Sequence, residues 1–152
     1  MKNHRDTIII GIGNEFRRDD GVGILIAREL KKLALDSIDV IDSSGEGGKL
    51  LQLWEDYKFV IVIDAVHSGG AAGKIYRFNI LEEVLPAQFF KFSSHTFSLA
   101  ESIELARKLK QLPPRLIIFG IEGSDFRQGC GLSSKVETSS KELIRLIINE
   151  LE

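Results

Sequence analysis

The segment Phe59 to Ala65, FVIVIDA, is apolar at nearly every position. A strand with one wet face alternates polar and apolar residues, whereas a strand buried on both faces does not. This run therefore calls for covering layers on both sides of its sheet. Thr7 to Ile12 and Arg115 to Ile121 are similar β-branched or apolar runs. Helical patterns lie between them. Val22, Ile26, Leu30 and Leu33 share one face of a segment from about Asp20 to Leu35, and Leu143, Ile144, Ile147, Ile148 and Leu151 do so near the end of the chain. Ile38 to Asp42 reads as a further short strand, followed by a glycine-containing loop and a helical segment through Leu50, Leu51 and Trp54. Ser68 to Gly73 is a glycine-rich turn, and Lys74 to Asn79 alternates as a strand. So short a connection predicts a hairpin, with these two strands antiparallel. Leu81 to Phe92 is irregular around Pro86. Ser98 with Glu101 fits a capping box that opens a helix to about Gln111, with Thr96 as the other candidate cap. The expectation is an α/β fold: a three-layer α/β/α sandwich on a mixed five-stranded sheet, with residues 1–152 as one domain.

Composition removes several function classes. The formal net charge of −2 and the lack of a basic run argue against a nucleic-acid surface. Cys130 is the only cysteine, so neither an intrachain disulfide nor a thiolate metal cluster is available. No signal peptide and no membrane-spanning apolar run is present, so the expected protein is cytoplasmic and monomeric, without membrane partners.

Candidate chemistry starts in IIIGIGNEFRRDDGVG, Ile8 to Gly23. Gly11 and Gly13 flank the end of the first strand, and Asp19 and Asp20 follow at the start of a helix pattern. Open α/β sheets keep their active sites at the carboxyl ends of strands. A carboxylate at a helix start also has a plain structural reading, as a cap for free N–H groups. One aspartate suffices for that, so the second needs another role. Asp64 ends the most apolar strand of the chain, where an ionised carboxylate is costly unless paired, hydrogen-bonded or bound to a cation. Its structural alternative is a turn-initiating aspartate. His95, in FSSHTF, precedes a helix and can reach the same end of the sheet, whereas His4 lies near the terminus and His67 in a polar turn, where histidines are ordinarily solvated. Together Asp20, Asp64 and His95 would offer two oxygens and one imidazole, a set suited to zinc or nickel. Three protein ligands with an open position are the form of a reactive site.

Familiar alternatives are missing. The chain has no H-E-x-x-H, no G-x-S-x-G, no Walker loop, and after Gly11 and Gly13 it lacks the third glycine of the dinucleotide fingerprint. Cys130 reads as a structural or incidental thiol.

G-I-G-N, then D-D-G-V-G, then V-I-D-A-V, then S-S-H-T, in this order and spacing, resembles the hydrogenase maturation proteases. These endopeptidases trim the large subunit of nickel–iron hydrogenases. The similarity spans nearly the whole chain, including G-I-E-G and the following G-L-S-S. It implies a phosphorylase/hydrolase-like fold and an aspartic-type endopeptidase. It further implies that Asp20, Asp64 and His95 are the catalytic, metal-ligating residues. They would engage nickel already held by the precursor, with no resident cofactor. The partner implied is a hydrogenase large-subunit precursor, cut beyond its last metal-binding cysteine motif. Two departures stand out. The Asp20 position varies between Glu and Asp in such proteins, and Asp42-Ser43-Ser44-Gly45-Glu46-Gly47 replaces a G-G-T-like turn. With no nucleophile beside a base, attack by water is expected. The competing readings are a peptidyl-tRNA hydrolase, which opens with a similar G-x-G-N strand but would require a proline and tyrosine after Asn14 and a basic face, and an inactive homologue that acts as a metal-dependent binding module.

Overall fold

The structure, a computed structural model, describes residues 5–44, 47–90 and 98–152. Five strands form one sheet: β1 (Thr7–Ile12), β2 (Ile38–Ser43), β3 (Phe59–Val66), β4 (Ile75–Asn79) and β5 (Arg115–Glu122). Four helices accompany them among the described residues: α1 (Val22–Lys32), α2 (Gly47–Trp54), α3 (Leu99–Lys108) and α4 (Ser134–Glu150). The strand order is β2-β1-β3-β5-β4, parallel throughout except for β4.

The unbroken apolar strands are explained by the two layers. Successive side chains of a strand point to opposite faces. Ile8 and Ile10, Val60 and Val62, and Leu116 and Ile118 face Leu50 and Trp54 of α2 and Ile103 and Ala106 of α3. Ile9, Ile61, Ile63, Ile117 and Phe119 face Val22, Ile26 and Leu30 of α1 and Leu143 and Ile147 of α4. Each central strand thus contributes to two cores, and no position is left for a polar residue until the strand ends.

One expectation is corrected. β4 does run opposite to β3, but it makes no hairpin with it. β5 lies between them: it pairs with β3 from Phe59↔Arg115 to Val66↔Glu122, and β4 pairs antiparallel with β5 from Ile75↔Ile121 to Asn79↔Ile117. The burial of the strands accounts for this. β5 is buried at every position after Arg115, whereas β4 is only partly buried and suits an edge. The cap at Ser98 is as expected, since its hydroxyl accepts the Glu101 N–H at 3.1 Å. Thr96, the other candidate, lies outside the described residues.

Helix α1 sits unusually close to the sheet. A Cβ built on Gly23 would come within 2.3 Å of the Ile63 carbonyl oxygen and 2.6 Å of that of Ile12. One built on Gly11 would meet the Gly23 carbonyl oxygen at 2.0 Å. Backbone therefore rests on backbone, at the carboxyl ends of β1 and β3. Gly23→Ala is expected to destabilise the fold by about 1–3 kcal/mol through overpacking. Thermal or urea unfolding checks this, and a melting curve that matches the parent protein would contradict the close contact.

Candidate active site

A 3₁₀ turn, Arg18–Gly21, links the first strand's loop to α1 and carries both adjacent carboxylates. The N-cap positions of the turn and of α1 are Arg17 and Gly21, so neither aspartate stands at a cap position. The capping reading is thereby corrected, and the two residues have separate tasks.

Asp19 is fully buried. Its carboxylate accepts the N–H groups of Ser124 and Asp125 at 2.9 Å and of Ser133 at 2.8 Å. It also accepts the Ser133 hydroxyl at 2.8 Å. Its own N–H donates to the Asp125 carbonyl at 2.9 Å, and next to it Arg18 N–H donates to Gly129. The loop after β1 is thus fastened to the loop between β5 and α4.

Asp20 turns the other way. The Asn14 N–H donates to its Oδ2 at 3.0 Å, which folds the loop back on itself. Gly13 permits this geometry: its φ is +143°, and a Cβ there would lie 2.0 Å from the Asp20 carbonyl oxygen.

Asp64, near the end of β3, is only 7% exposed. Burial holds its carboxyl well above the ordinary carboxylate value, the negative charge of Asp20 pushes in the same direction, and the N–H of Ala65 opposes them. That N–H donates to Asp64 Oδ1 at 2.8 Å. Asp20 and Asp64 line one pocket at the carboxyl end of the sheet, together with Ala65, His67, Phe89, Phe90 and Phe126. The two sequence-derived carboxylates do meet. His95, the third member of that set, lies outside the described residues. Among the described residues no three His, Cys, Asp or Glu side chains cluster closely enough to hold a metal ion. Cys130 is exposed and is not among the pocket residues.

Two residues of this region escaped the sequence reading. His67 is half-buried in the pocket, stacked on Phe126 with ring centroids 4.7 Å apart, and is not a solvated turn residue. Glu122, the last residue of β5, is 1% exposed and accepts the Ser68 N–H at 2.8 Å, the Tyr76 hydroxyl at 3.1 Å and the Ser68 hydroxyl. The argument that singled out Asp64, a carboxylate ending an apolar strand, applies equally to Glu122 and would have found it.

Comparison with known proteins identifies the family and the fold. A sequence model of the hydrogenase maturation protease (HycI) family matches residues 24–150. The chain is 28% identical to a Methanocaldococcus jannaschii protein assigned to the hydrogenase maturation proteases, over 97% of each chain. It is 24% identical to the hydrogenase 2 maturation protease of Escherichia coli, over 95% of this chain and 89% of the relative. In fold it resembles an E. coli endopeptidase solved in solution, with a TM-score of 0.82 at 23% identity over 95% of this chain and 91% of the other. It also resembles the E. coli hydrogenase maturating endopeptidase HybD, with a TM-score of 0.77 at 20% identity over the same shares, 95% and 91%. The chain belongs to the hydrogenase maturation protease family.

Proposed function

We propose that this protein is an endopeptidase that removes the C-terminal extension of a nickel–iron hydrogenase large-subunit precursor once nickel has been inserted. The observation that carries this reading is the shared pocket of Asp20 and Asp64 at the carboxyl end of the sheet. The charge of Asp20 raises the proton affinity of Asp64, so the two carboxylates form a poor pair alone and a good one around a cation. The described pocket residues include no cysteine, so a late transition metal would find only part of its preferred donor set there. Thiolates of the precursor complete it, and the nickel arrives as part of the substrate. His95, in the segment before α3, is the third enzyme contact in this reading.

The chain's own residues then orient the precursor. Asp20 and Asp64 hold the metal-bearing end of the substrate, and Phe89, Phe90 and Phe126 form apolar walls that limit water around it. In this reading the attacking group is water, supported by a described lining without serine, threonine or cysteine. The described pocket lining has no lysine or arginine to hold a transfer-RNA backbone. Glu15, which follows Asn14, is engaged with Arg28 at 2.6 Å.

Asp64→Asn and His95→Ala are each expected to abolish cleavage. The loss should exceed the roughly 10–100-fold that follows removal of an outer-shell partner of a metal site. Rates of precursor cleavage on folded samples check this, and wild-type cleavage by either variant removes that residue from the site. Asp64→Asn should also melt at or above the parent temperature. Because the folded-state proton affinity of Asp64 is raised, native protein binds more protons than unfolded chain above the ordinary value of 3.8, and its stability falls as pH rises through that window. The advantage of the asparagine variant should therefore grow from acid toward neutral pH, and a constant difference across that range would contradict the burial of the charge.

The second test is the substrate's metal. Precursor prepared without nickel should remain uncut, and the same precursor after nickel loading should be processed, as read by a mobility shift on a gel. Equal cutting of both would point to an ordinary metallopeptidase, and cutting of neither to an inactive binding homologue.

A further inference from the structure

We propose that His67 contacts the precursor peptide beside the scissile bond, and that Glu122 is the positioning residue that holds it there; this rests on the protease reading above. His67 follows Val66, the last residue of β3, and stands three positions after Asp64. It lines the same pocket as Asp20 and Asp64. The other described lining residues, Ala65, Phe89, Phe90 and Phe126, carry apolar side chains. Carboxylates around a cation present acceptors, whereas a peptide carbonyl requires a donor. Among the described lining side chains, the imidazole of His67 is the one suited to supply it.

Its placement is over-determined, as a substrate contact requires. The ring lies against Phe126 at 25° between planes. Its backbone N–H donates to the Phe89 carbonyl at 2.8 Å. The next residue is clamped by Glu122, whose Oε2 accepts the Ser68 N–H at 2.8 Å and whose Oε1 accepts the Ser68 hydroxyl. The Gly70 N–H, at 3.2 Å, and the Tyr76 hydroxyl, at 3.1 Å, donate to the same Oε1. Glu122 thus converts the glycine-rich turn from a mobile connection into a fixed ledge. That ledge begins with His67. A buried carboxylate satisfied by four donors from one turn and its neighbouring strand is a large investment for a loop with no other visible task.

The experiment measures binding and cleavage of nickel-loaded precursor by the parent protein and by His67→Ala, His67→Gln, Glu122→Gln and the His67→Ala/Glu122→Gln double variant, with melting temperatures recorded alongside. His67→Ala should lower kcat/KM by about tenfold, the scale of one lost hydrogen bond. His67→Gln, which keeps a donor, should recover part of that loss. Glu122→Gln should lower kcat/KM when His67 is present and have no further effect once it is alanine. Unchanged kcat/KM for His67→Ala, in a protein that cuts precursor, overturns this inference and leaves the protease reading standing. An equal loss for Glu122→Gln in both backgrounds overturns the positioning role. A parent protein that neither binds nor cuts the precursor overturns both readings together.

Discussion

The arrangement of the site depends on one buried carboxylate that does no chemistry. Asp19 collects the N–H groups of Ser124, Asp125 and Ser133 from a loop more than one hundred residues downstream. A buried carboxylate is tolerable only with such a set of donors. The bond set therefore holds in both directions: the loop orders the turn, and the turn orders the loop. Asp20 is the next residue, so its position is fixed by a tether anchored in the loop after β5.

Glu122 does the same for a second loop. It gathers the Ser68–Gly70 turn as Asp19 gathers the β5–α4 loop. Two of the loops that border the pocket are each held by a buried acidic side chain and by neutral donors. Asp64 is in a different condition. One N–H, that of Ala65, lowers its proton affinity, and this is outweighed by burial and by the charge of Asp20. Three acidic groups are buried within one region, and the one that is poorly compensated is the one that faces the pocket. Functional groups are commonly identified by such an imbalance.

The layers of the fold were legible in the sequence because β1, β3 and β5 announce two-sided burial in their composition. The Ser98 cap was legible because its partner is three residues away. The place of β4 was not. A short connection reports that two strands run in opposite directions, and it is silent on whether a later strand inserts between them. Asp20 and Asp64 were found because a charge in an apolar setting is visible locally. The division of labour between Asp19 and Asp20 was not visible, since the partners of Asp19 lie in Gly123–Ser133. His67 was misjudged for a related reason. Its turn is polar in sequence, but Phe126, from another loop, covers one face of its ring.

The contact between Gly11 and Gly23 has a mechanical consequence. Most distances inside a protein are set by side chains, which can repack by a few tenths of an ångström as residues drift. Here helix and strand touch through main-chain atoms, as two gauge blocks would. The gap across which Asp20 faces Asp64 is referenced to that contact and not to the volume of any isoleucine or leucine. The two apolar cores can therefore vary in sequence and in firmness while the working gap keeps its calibration.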